Sequence, residues 1–547
     1  LQSSCVVDPD RCDPAKQRGV YPPKLRGKGE YAGDLRKVPC TVEEEHIGAD
    51  QLFPIPRHEL YYTPTVKHHC PRVALASSLR ACSNKVGFDP DMFRRYAAWF
   101  RRVYIPRFVK CLDQELVNVN MDTWLDKYNV NYRKQMGAAI SRDKVSTKGN
   151  LDCNYEAFTK VELQFTTVPH DLKDTPLNDA KERQICGPTN EKKVWANAFI
   201  NALEGVASRH FSPYCGRANW IEICSSLDEM EQKFNKPIWG ASDGSGFDMT
   251  QFPEMNKLMN ELIMMSAKHP NVTFDEPLSL DRLREALEGS IKLKVGIDRG
   301  NLKYEAVGRA SGDGWTTFGN TMLMVSYWAF TFEEVAGIKK YGLKVKGDDV
   351  LFCLELKDQP VLLQAKDLVF TSSKTEHKHG LGQICKKIDF GDITQLDFLS
   401  NEFFRTKEGK LRMTRIGARI LQTLAWTTKL PRNIPDEVRE DIRKQLLYSK
   451  GQCLKAWCQG LELWEALADK MMELGRPGKH SEFNQYADAD RVWHNRDDNA
   501  AYLVFLEEMY KITSRDVQAA IAAIKAVTTT TGFLELPTLS RFYSRGG

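Results

Sequence analysis

Long apolar runs are missing from this sequence. The most apolar stretch, Met322–Phe332, is broken by Ser326 and falls short of the ~18–20 residues that cross a bilayer, so no segment is expected to span a membrane. Regular cysteine pairing is missing as well. The 14 cysteines in 547 residues form no dense framework, which excludes a disulfide-stapled secreted fold and points to reduced thiols in a cytosolic compartment. Two groups, Cys5, Cys12, Cys40 and His46, and His68, His69, Cys70 and Cys82, are candidate zinc clusters, but neither has the tight C-x2-C spacing of a structural site. A surplus of one charge is absent too. With 77 basic against 72 acidic residues the net charge is +5, so a nucleic-acid partner must be met by local patches rather than by the whole surface. The 36 glycines and 24 prolines are scattered, which excludes collagen-like, low-complexity and wholly disordered chains. Thr528–Thr531 is the one homopolymer run, and no internal repeat is present.

What is there is too long for one hydrophobic core, since cores stop growing near ~250–300 residues; about three packed units are expected. Residues 1–92 are rich in Pro and Gly and read as an extension wrapped over another domain. From Phe93 to Lys110, Arg94, Arg95, Arg101, Arg102, Arg107 and Lys110 interleave with Tyr96, Trp99, Phe100, Tyr104 and Phe108, with no acid among them. Two readings fit: an amphipathic helix with a solvated basic face, or the wall of a nucleic-acid channel. The centre alternates strand and helix patterns. Strands are expected at Pro237–Ser242, Lys292–Val295 and Leu302–Ala306, helices at Glu254–Lys268, Thr316–Phe330 and Leu362–Phe370, and a hairpin over Leu343–Leu354. The last part reads as helical, with periods at Ile416–Trp426, Glu437–Leu447, Leu454–Leu474 and Asn499–Tyr510.

Three blocks carry chemistry. Gly347-Asp348-Asp349 puts two adjacent carboxylates at a hairpin turn, where they repel each other unless a cation sits between them. A tripeptide like this arises by chance in about one chain in fifteen of this length, so alone it is no more than a surface turn. Asp243-Gly-Ser-Gly-Phe-Asp248 follows an apolar strand, which places a carboxylate where it faces a neighbouring hairpin. Arg309-Ala-Ser311-Gly312-Asp313-Gly-Trp-Thr316 is a Ser-Gly loop running into a helix on which Thr316 and Asn320 share a face. Two further matches are decoys. Gly240-Ala-Ser242-Asp-Gly244 has the form of a nucleophile elbow but lacks an oxyanion loop, and Gly27-Lys-Gly29 has the form of a dinucleotide loop but no buried strand before it.

Taken together and in this order, the three blocks resemble motifs A, B and C of viral RNA-dependent RNA polymerases. The fuller match, D-x-S-x-F-D with R-x-S-G-D-x-x-T-x-x-G-N, is similar to the tombusvirus-like branch of positive-strand RNA viruses. The resemblance implies an α+β right-handed fold of fingers, an antiparallel palm with helices, and an α-helical thumb. It divides the chain into an extension with part of the fingers (1–110), fingers (111–236), palm (237–268), a fingers insertion (269–305), palm (306–405) and thumb (406–547). It implies that Asp243, Asp348 and Asp349 serve two Mg²⁺ ions, for which Mn²⁺ substitutes. Asp248 and Asn320 would read the ribose 2′-hydroxyl, while Ser311 and Thr316 position template and nucleotide. Lys181-Glu-Arg183-Gln-Ile185 is similar to the basic motif F that binds triphosphate, with Lys160 beginning that segment. Lys374 stands where motif D places its proton-donating lysine, with Lys378 as the alternative. Phe398–Arg405 is similar to the motif E hairpin that grips the new strand. Arg309, Gly312 and Arg405 join Ser311 and Lys160 as RNA contacts. Implied partners are RNA template and product, ribonucleoside triphosphates and other viral replication proteins. The implied location is the host cytoplasm, in membrane-associated replication complexes reached through a partner or an upstream region.

The sequence departs from that branch at Gly246, where a basic residue is usual, and at Lys346 before Gly-Asp-Asp. Two rival readings stand beside it: a reverse transcriptase-like polymerase, and a non-catalytic RNA-binding replication protein. Asp248 with Asn320 argues against the first, and the complete acidic set argues against the second, because such charges kept without a metal only destabilise.

Overall fold

Residue Val350 to Leu354 is an unbroken apolar run, the pattern of a strand buried on both faces, and the strand it belongs to lies in the middle of the molecule's central sheet. The computed structural model of the chain describes residues 50–56, 65–66, 87–145, 151, 154–159, 163–164, 184–244, 246–297, 302–372, 378–431, 434–479, 498–534 and 536–545. Helix α1 (Pro90–Trp99) runs on through a wider turn, Phe100–Tyr104, into Ile105–Val109. Strands β1 (Tyr155–Thr159) and β2 (Gln184–Pro188) precede helices α2 (Asn190–His210) and α3 (Trp220–Glu231). Then come β3 (Pro237–Asp243), α4 (Pro253–Ala267), β4 (Leu293–Ile297), β5 (Leu302–Ala306) and α5 (Thr316–Phe330). The hairpin β6 (Gly342–Lys346) and β7 (Asp349–Glu355) follows, then α6 (Gln359–Val369) and β8 (Asp389–Gly391). Short strands β9 (Asp397–Phe398), β10 (Asn401–Arg405) and β11 (Leu411–Arg415) lead into helices α7 (Gly417–Leu424), α8 (Asp436–Trp457), α9 (Glu462–Leu474), α10 (Asn499–Tyr510) and α11 (Ser514–Lys525).

The central sheet has the order β6-β7-β3-β8 and is antiparallel throughout. A second sheet, β5-β4-β1-β2, is antiparallel except where β4 runs parallel to β1. The third, β9-β10-β11, is an antiparallel meander. The chain is therefore a mixed helix–strand protein with mostly antiparallel sheets and a helical C-terminal part, in keeping with the expected α+β class. Helix α5 is apolar around its whole circumference, as befits a helix surrounded by protein: it is buried from Phe318 through Phe330. Trp328 packs on Phe352 of β7 and Phe370 with ring centroids 5.2 and 5.0 Å apart. That contact fastens the helix carrying Asn320 to the strand carrying Asp349.

Among the described residues the buried apolar side chains form three clusters. Their borders do not follow the divisions drawn from the sequence. The largest cluster runs from Tyr96 to Cys385 and joins residues on both sides of position 236. The division after 405 falls inside a hairpin, since Asn401 pairs with Arg415. The helical period read over Leu454–Leu474 is two helices. Alpha8 ends at Trp457, and the chain reverses through Gly460, whose φ of +80° no helix tolerates. Near the start of the described residues, Asp50–Gln51 pairs with Trp426–Thr427, Ile55–Pro56 runs beside Phe533–Leu534, and Leu52 and Phe53 are buried in the C-terminal cluster.

The basic stretch from Phe93 presents its rings and its charges on opposite sides. Tyr96, Phe100, Tyr104 and Phe108 are fully buried and Trp99 nearly so, all in the main core. Arg94 pairs with Asp91 of its own helix, and four other arginines pair with acids from other elements. Arg101 forks onto Glu261 at 2.6 and 2.7 Å, Arg107 forks onto Glu333 at 2.8 and 2.9 Å, and Arg95 and Arg102 reach Glu334. The five rings face the core and the arginines lie on the outer, largely exposed side, the arrangement of an amphipathic helix. Among the described residues no helix is long and apolar enough to cross a membrane. Each of the eight described cysteines is a buried free thiol, and both candidate zinc groups lie outside the described residues.

Candidate functional site

The hairpin β6–β7 is closed by a two-residue turn, Gly347-Asp348, because Lys346 pairs directly with Asp349. Such a turn needs φ > 0 at its first residue, and Gly347 supplies +65°. The Gly347 N–H donates to Thr321 Oγ at 2.9 Å, and Thr321 in turn donates to the Thr317 carbonyl at 2.7 Å, so α5 holds the turn still. A Cβ added at Gly347 meets nothing within 4 Å. The cost of Gly347→Ala is therefore backbone strain alone, about 1–2 kcal/mol of unfolding free energy in urea; Gly347→Asn, which tolerates this region better, should lose less.

Across the sheet, Asp349 stands opposite Asp243 at the end of β3, and the Gly244 N–H donates to the Asp348 carbonyl at 3.3 Å. The sequence thus places the first and third blocks side by side, on the strand ends where Asp243, Asp348 and Asp349 were expected to meet. Burial, then the charges of Asp348, Asp243 and Asp397, push the Asp349 carboxyl up to about 7, against a smaller pull from Lys346. Asp243 is raised by burial and by Asp348 and Asp397, with Lys386 opposing. Asp397, at the start of β9, was not singled out in the sequence; it lies 48 residues beyond Asp349 (397 − 349) and only the fold brings it near. Among the described residues no three His, Cys, Asp or Glu side chains converge at metal-ligand spacing. The donor set is nevertheless all hard oxygen and mutually repelling, which fits Mg²⁺, an ion usually held by one or two carboxylates together with phosphate and water.

Next to the carboxylates, the short turn of helix Phe247–Thr250 carries Asp248, and Asn320 Nδ2 on α5 donates to Asp248 Oδ1 at 2.5 Å. Residues 72 positions apart are brought together as the sequence suggested. Asn320 Oδ1 is buried without a hydrogen-bond partner, so the pair keeps one acceptor unused. Gly246, the first departure from the family pattern, adopts φ +66°, a conformation that a basic side chain disfavours.

The loop leading into α5 is anchored from outside itself. Ser311 Oγ donates to the Gln184 carbonyl at 3.0 Å and accepts from the Cys186 N–H at 3.3 Å, while the Gly312 N–H donates to the Cys186 carbonyl at 3.0 Å. A Cβ at Gly312 would lie 2.7 Å from that carbonyl, so only glycine fits. Thr316 Oγ donates to the Ala310 carbonyl at 2.5 Å. Ser311 and Thr316 therefore shape the loop, with their hydroxyls engaged on backbone. Behind it lies a buried network that sequence reasoning missed. Lys192 of α2, 1% exposed, pairs with Asp313 at 3.1 Å, and Tyr155 of β1 donates to the other Asp313 oxygen at 3.0 Å. A lone lysine in a helix gives no sequence signal of this kind.

Two expected RNA contacts are placed differently. Arg309 is 6% exposed and stacks on Trp315 with its guanidinium carbon 4.3 Å from the ring centroid, so it lies beneath the site. Arg405 turns to α3, where its Nη2 donates to both oxygens of Glu231 at 2.8 and 2.9 Å; a nearby carboxylate outcompetes solvent for a half-buried guanidinium. Lys160, Lys181, Arg183 and Lys374 lie outside the described residues, and Lys378 is exposed. Ser242 of the decoy elbow is in the middle of sheet pairing, opposite Val350, and not at a strand-to-helix turn. No protein-family model and no curated protein matches this sequence.

Proposed function

We propose that this chain is an RNA-dependent RNA polymerase of the positive-strand viral type. Its central sheet and α5 would act as the palm and its C-terminal helices as the thumb. The observation that carries this reading is the meeting of Asp243, Asp348 and Asp349 on neighbouring strand ends beside the Asp248–Asn320 pair, whose members come from two further elements. Asp243 and Asp348 would hold two Mg²⁺ or Mn²⁺ ions, with Asp349 in support; when bound, these ions supply charge neutralisation for phosphoryl transfer. The chain's own part is positioning. Paired strands and the Thr321-anchored turn fix the carboxylates, so no reorganisation is needed as charge develops. The Asp248–Asn320 pair offers an acceptor and an amide to one ribose hydroxyl, which holds the sugar and with it the α-phosphorus in line. The test is incorporation of labelled ribonucleotide on a homopolymer RNA template with Mg²⁺ or Mn²⁺. Complementary nucleotide alone should enter product, and a purified protein that incorporates none under either metal would refute the reading.

Sugar choice follows from the same pair. A site built to hydrogen-bond a hydroxyl rejects the analogue lacking it, because its own polar groups are then left unpaired. Asn320→Ala should cut ribonucleotide use far more than deoxynucleotide use, narrowing the gap by about 1–3 kcal/mol. The measurement is the ratio of incorporation efficiencies for matched ribo- and deoxynucleotides, variant against wild type. A ratio that does not move makes the pair structural.

A further inference from the structure

Arg309 is the least comfortable charge near the site. Its side chain is buried, and two of its nitrogens, Nε and Nη2, have no hydrogen-bond partner. Burying an arginine this way is expensive, so something must hold the cation there. One face stacks on Trp315 at 4.3 Å. On another side the helix backbone closes in: a Cβ at Gly319 would stand 3.2 Å from the guanidinium carbon, one residue before Asn320. The ionisable groups around it are Asp313, Asp248 and Tyr327. Burial draws the arginine down, and Asp313 and then Asp248 oppose it. Asp313 already has Lys192 and Tyr155. Asp248 has the amide of Asn320, and its main chain is tied to the same arginine, since the Arg309 N–H donates to the Asp248 carbonyl at 2.7 Å.

From this placement we infer that Arg309 is a positioning residue for sugar selection: its buried guanidinium, seated between Trp315 and the helix backbone at Gly319, holds Asn320 and the Asp248 it bonds aimed at the ribose hydroxyl. The inference rests on the polymerase reading and deepens it. Asp248 accepts from a hydroxyl and gains nothing from a deoxyribose carbon, so the strength of discrimination depends on keeping that oxygen in place. The guanidinium does this from below, without reaching substrate. A flat cation sandwiched between an indole and a glycine backbone has one orientation, which a lysine ammonium in the same space does not reproduce.

The experiment uses the full chain and the same incorporation assay, with ribo- and deoxynucleotides scored separately for kcat and KM. Arg309→Met keeps the bulk against Trp315 and removes the charge; the ribo-to-deoxy preference should fall about tenfold, mainly through a higher ribonucleotide KM. Arg309→Lys restores charge without the planar fork, and its preference should fall about threefold, between Met and wild type. A purely structural arginine behaves otherwise: both nucleotides lose rate equally and the ratio stays put in each variant, which overturns the inference. Should the Met variant not fold, the Lys variant decides by the same ratio. Absence of ribonucleotide incorporation by wild type overturns the polymerase reading itself and the inference with it, whereas an active wild type with unmoved ratios overturns only the role of Arg309.

Discussion

Asp348→Ala is expected to lower nucleotide incorporation by about a thousandfold or more while leaving the protein folded. A metal-holding carboxylate contributes several kcal/mol to charge stabilisation in phosphoryl transfer, and each 1.36 kcal/mol is tenfold in rate. The fold should tolerate the loss, because the substitution removes one of several carboxylates that repel one another at the ends of β3 and β7. The sign of the pH dependence follows. Asp349 titrates near 7 in the folded chain and near ~4 when unfolded. Between those values the folded state binds more protons, so this site's contribution to stability falls as pH rises from about 4 to 7. In metal-free buffer Asp348→Ala should flatten that fall and melt no lower than wild type at pH 8. Added Mg²⁺ should raise the wild-type melting temperature at pH 8 and leave the variant unchanged. A variant that still incorporates nucleotide at a near-normal rate would remove Asp348 from the site.

Much of the centre could be read from residues alone, and the reason is physical. Thr316–Phe330 is apolar all round and can only be a buried helix, and the bounds read for it are those observed. Val350–Leu354 is apolar without alternation, and Gly347 before two acids marks the turn, so the hairpin followed; its register, Lys346 opposite Asp349, came from the fold. The pairing of Asp248 with Asn320 was also legible, but only because their spacing matched a known pattern; no local signal links residues 72 apart. What could not be read was the destination of single charges. Arg309 looked like an RNA contact and lies under a tryptophan. Arg405 looked the same and faces Glu231. The arginines after Phe93 fitted two readings, and their acidic partners Glu261 and Glu333 lie 160 and 226 residues away from Arg101 and Arg107. Hydrophobic period is a property of a segment, whereas the partner of a charge is a property of the fold.

Lys192 makes the same point with the largest consequence for stability. Its ammonium and the Asp313 carboxylate are 2% and 3% exposed at a separation of 3.1 Å, and the aspartate's other oxygen accepts from Tyr155. Removing one partner of a buried pair leaves the other charge unpaired in a medium that solvates it badly, which costs about 3–5 kcal/mol. Arg309 also feels Asp313 and offsets part of the loss, so Lys192→Met should fall at the lower end, about 3 kcal/mol in urea unfolding. The damage will not stay local. The Asp313 carbonyl accepts from the Thr316 N–H at 3.1 Å, at the first residue of α5, and the same loop is stitched to β2 through Ser311 and Gly312. A loosened Asp313 therefore frees the start of the helix that carries Asn320, and incorporation should drop along with stability. The double variant Lys192→Met with Asp313→Asn separates the causes. It removes both charges, so most of the stability should return, while activity returns only if the loop's shape rather than its charge is what α5 requires. Were the single Lys192→Met variant as stable as wild type, the pair would be contributing nothing, and the loop would have to be held by the bonds of Ser311 and Gly312 to β2.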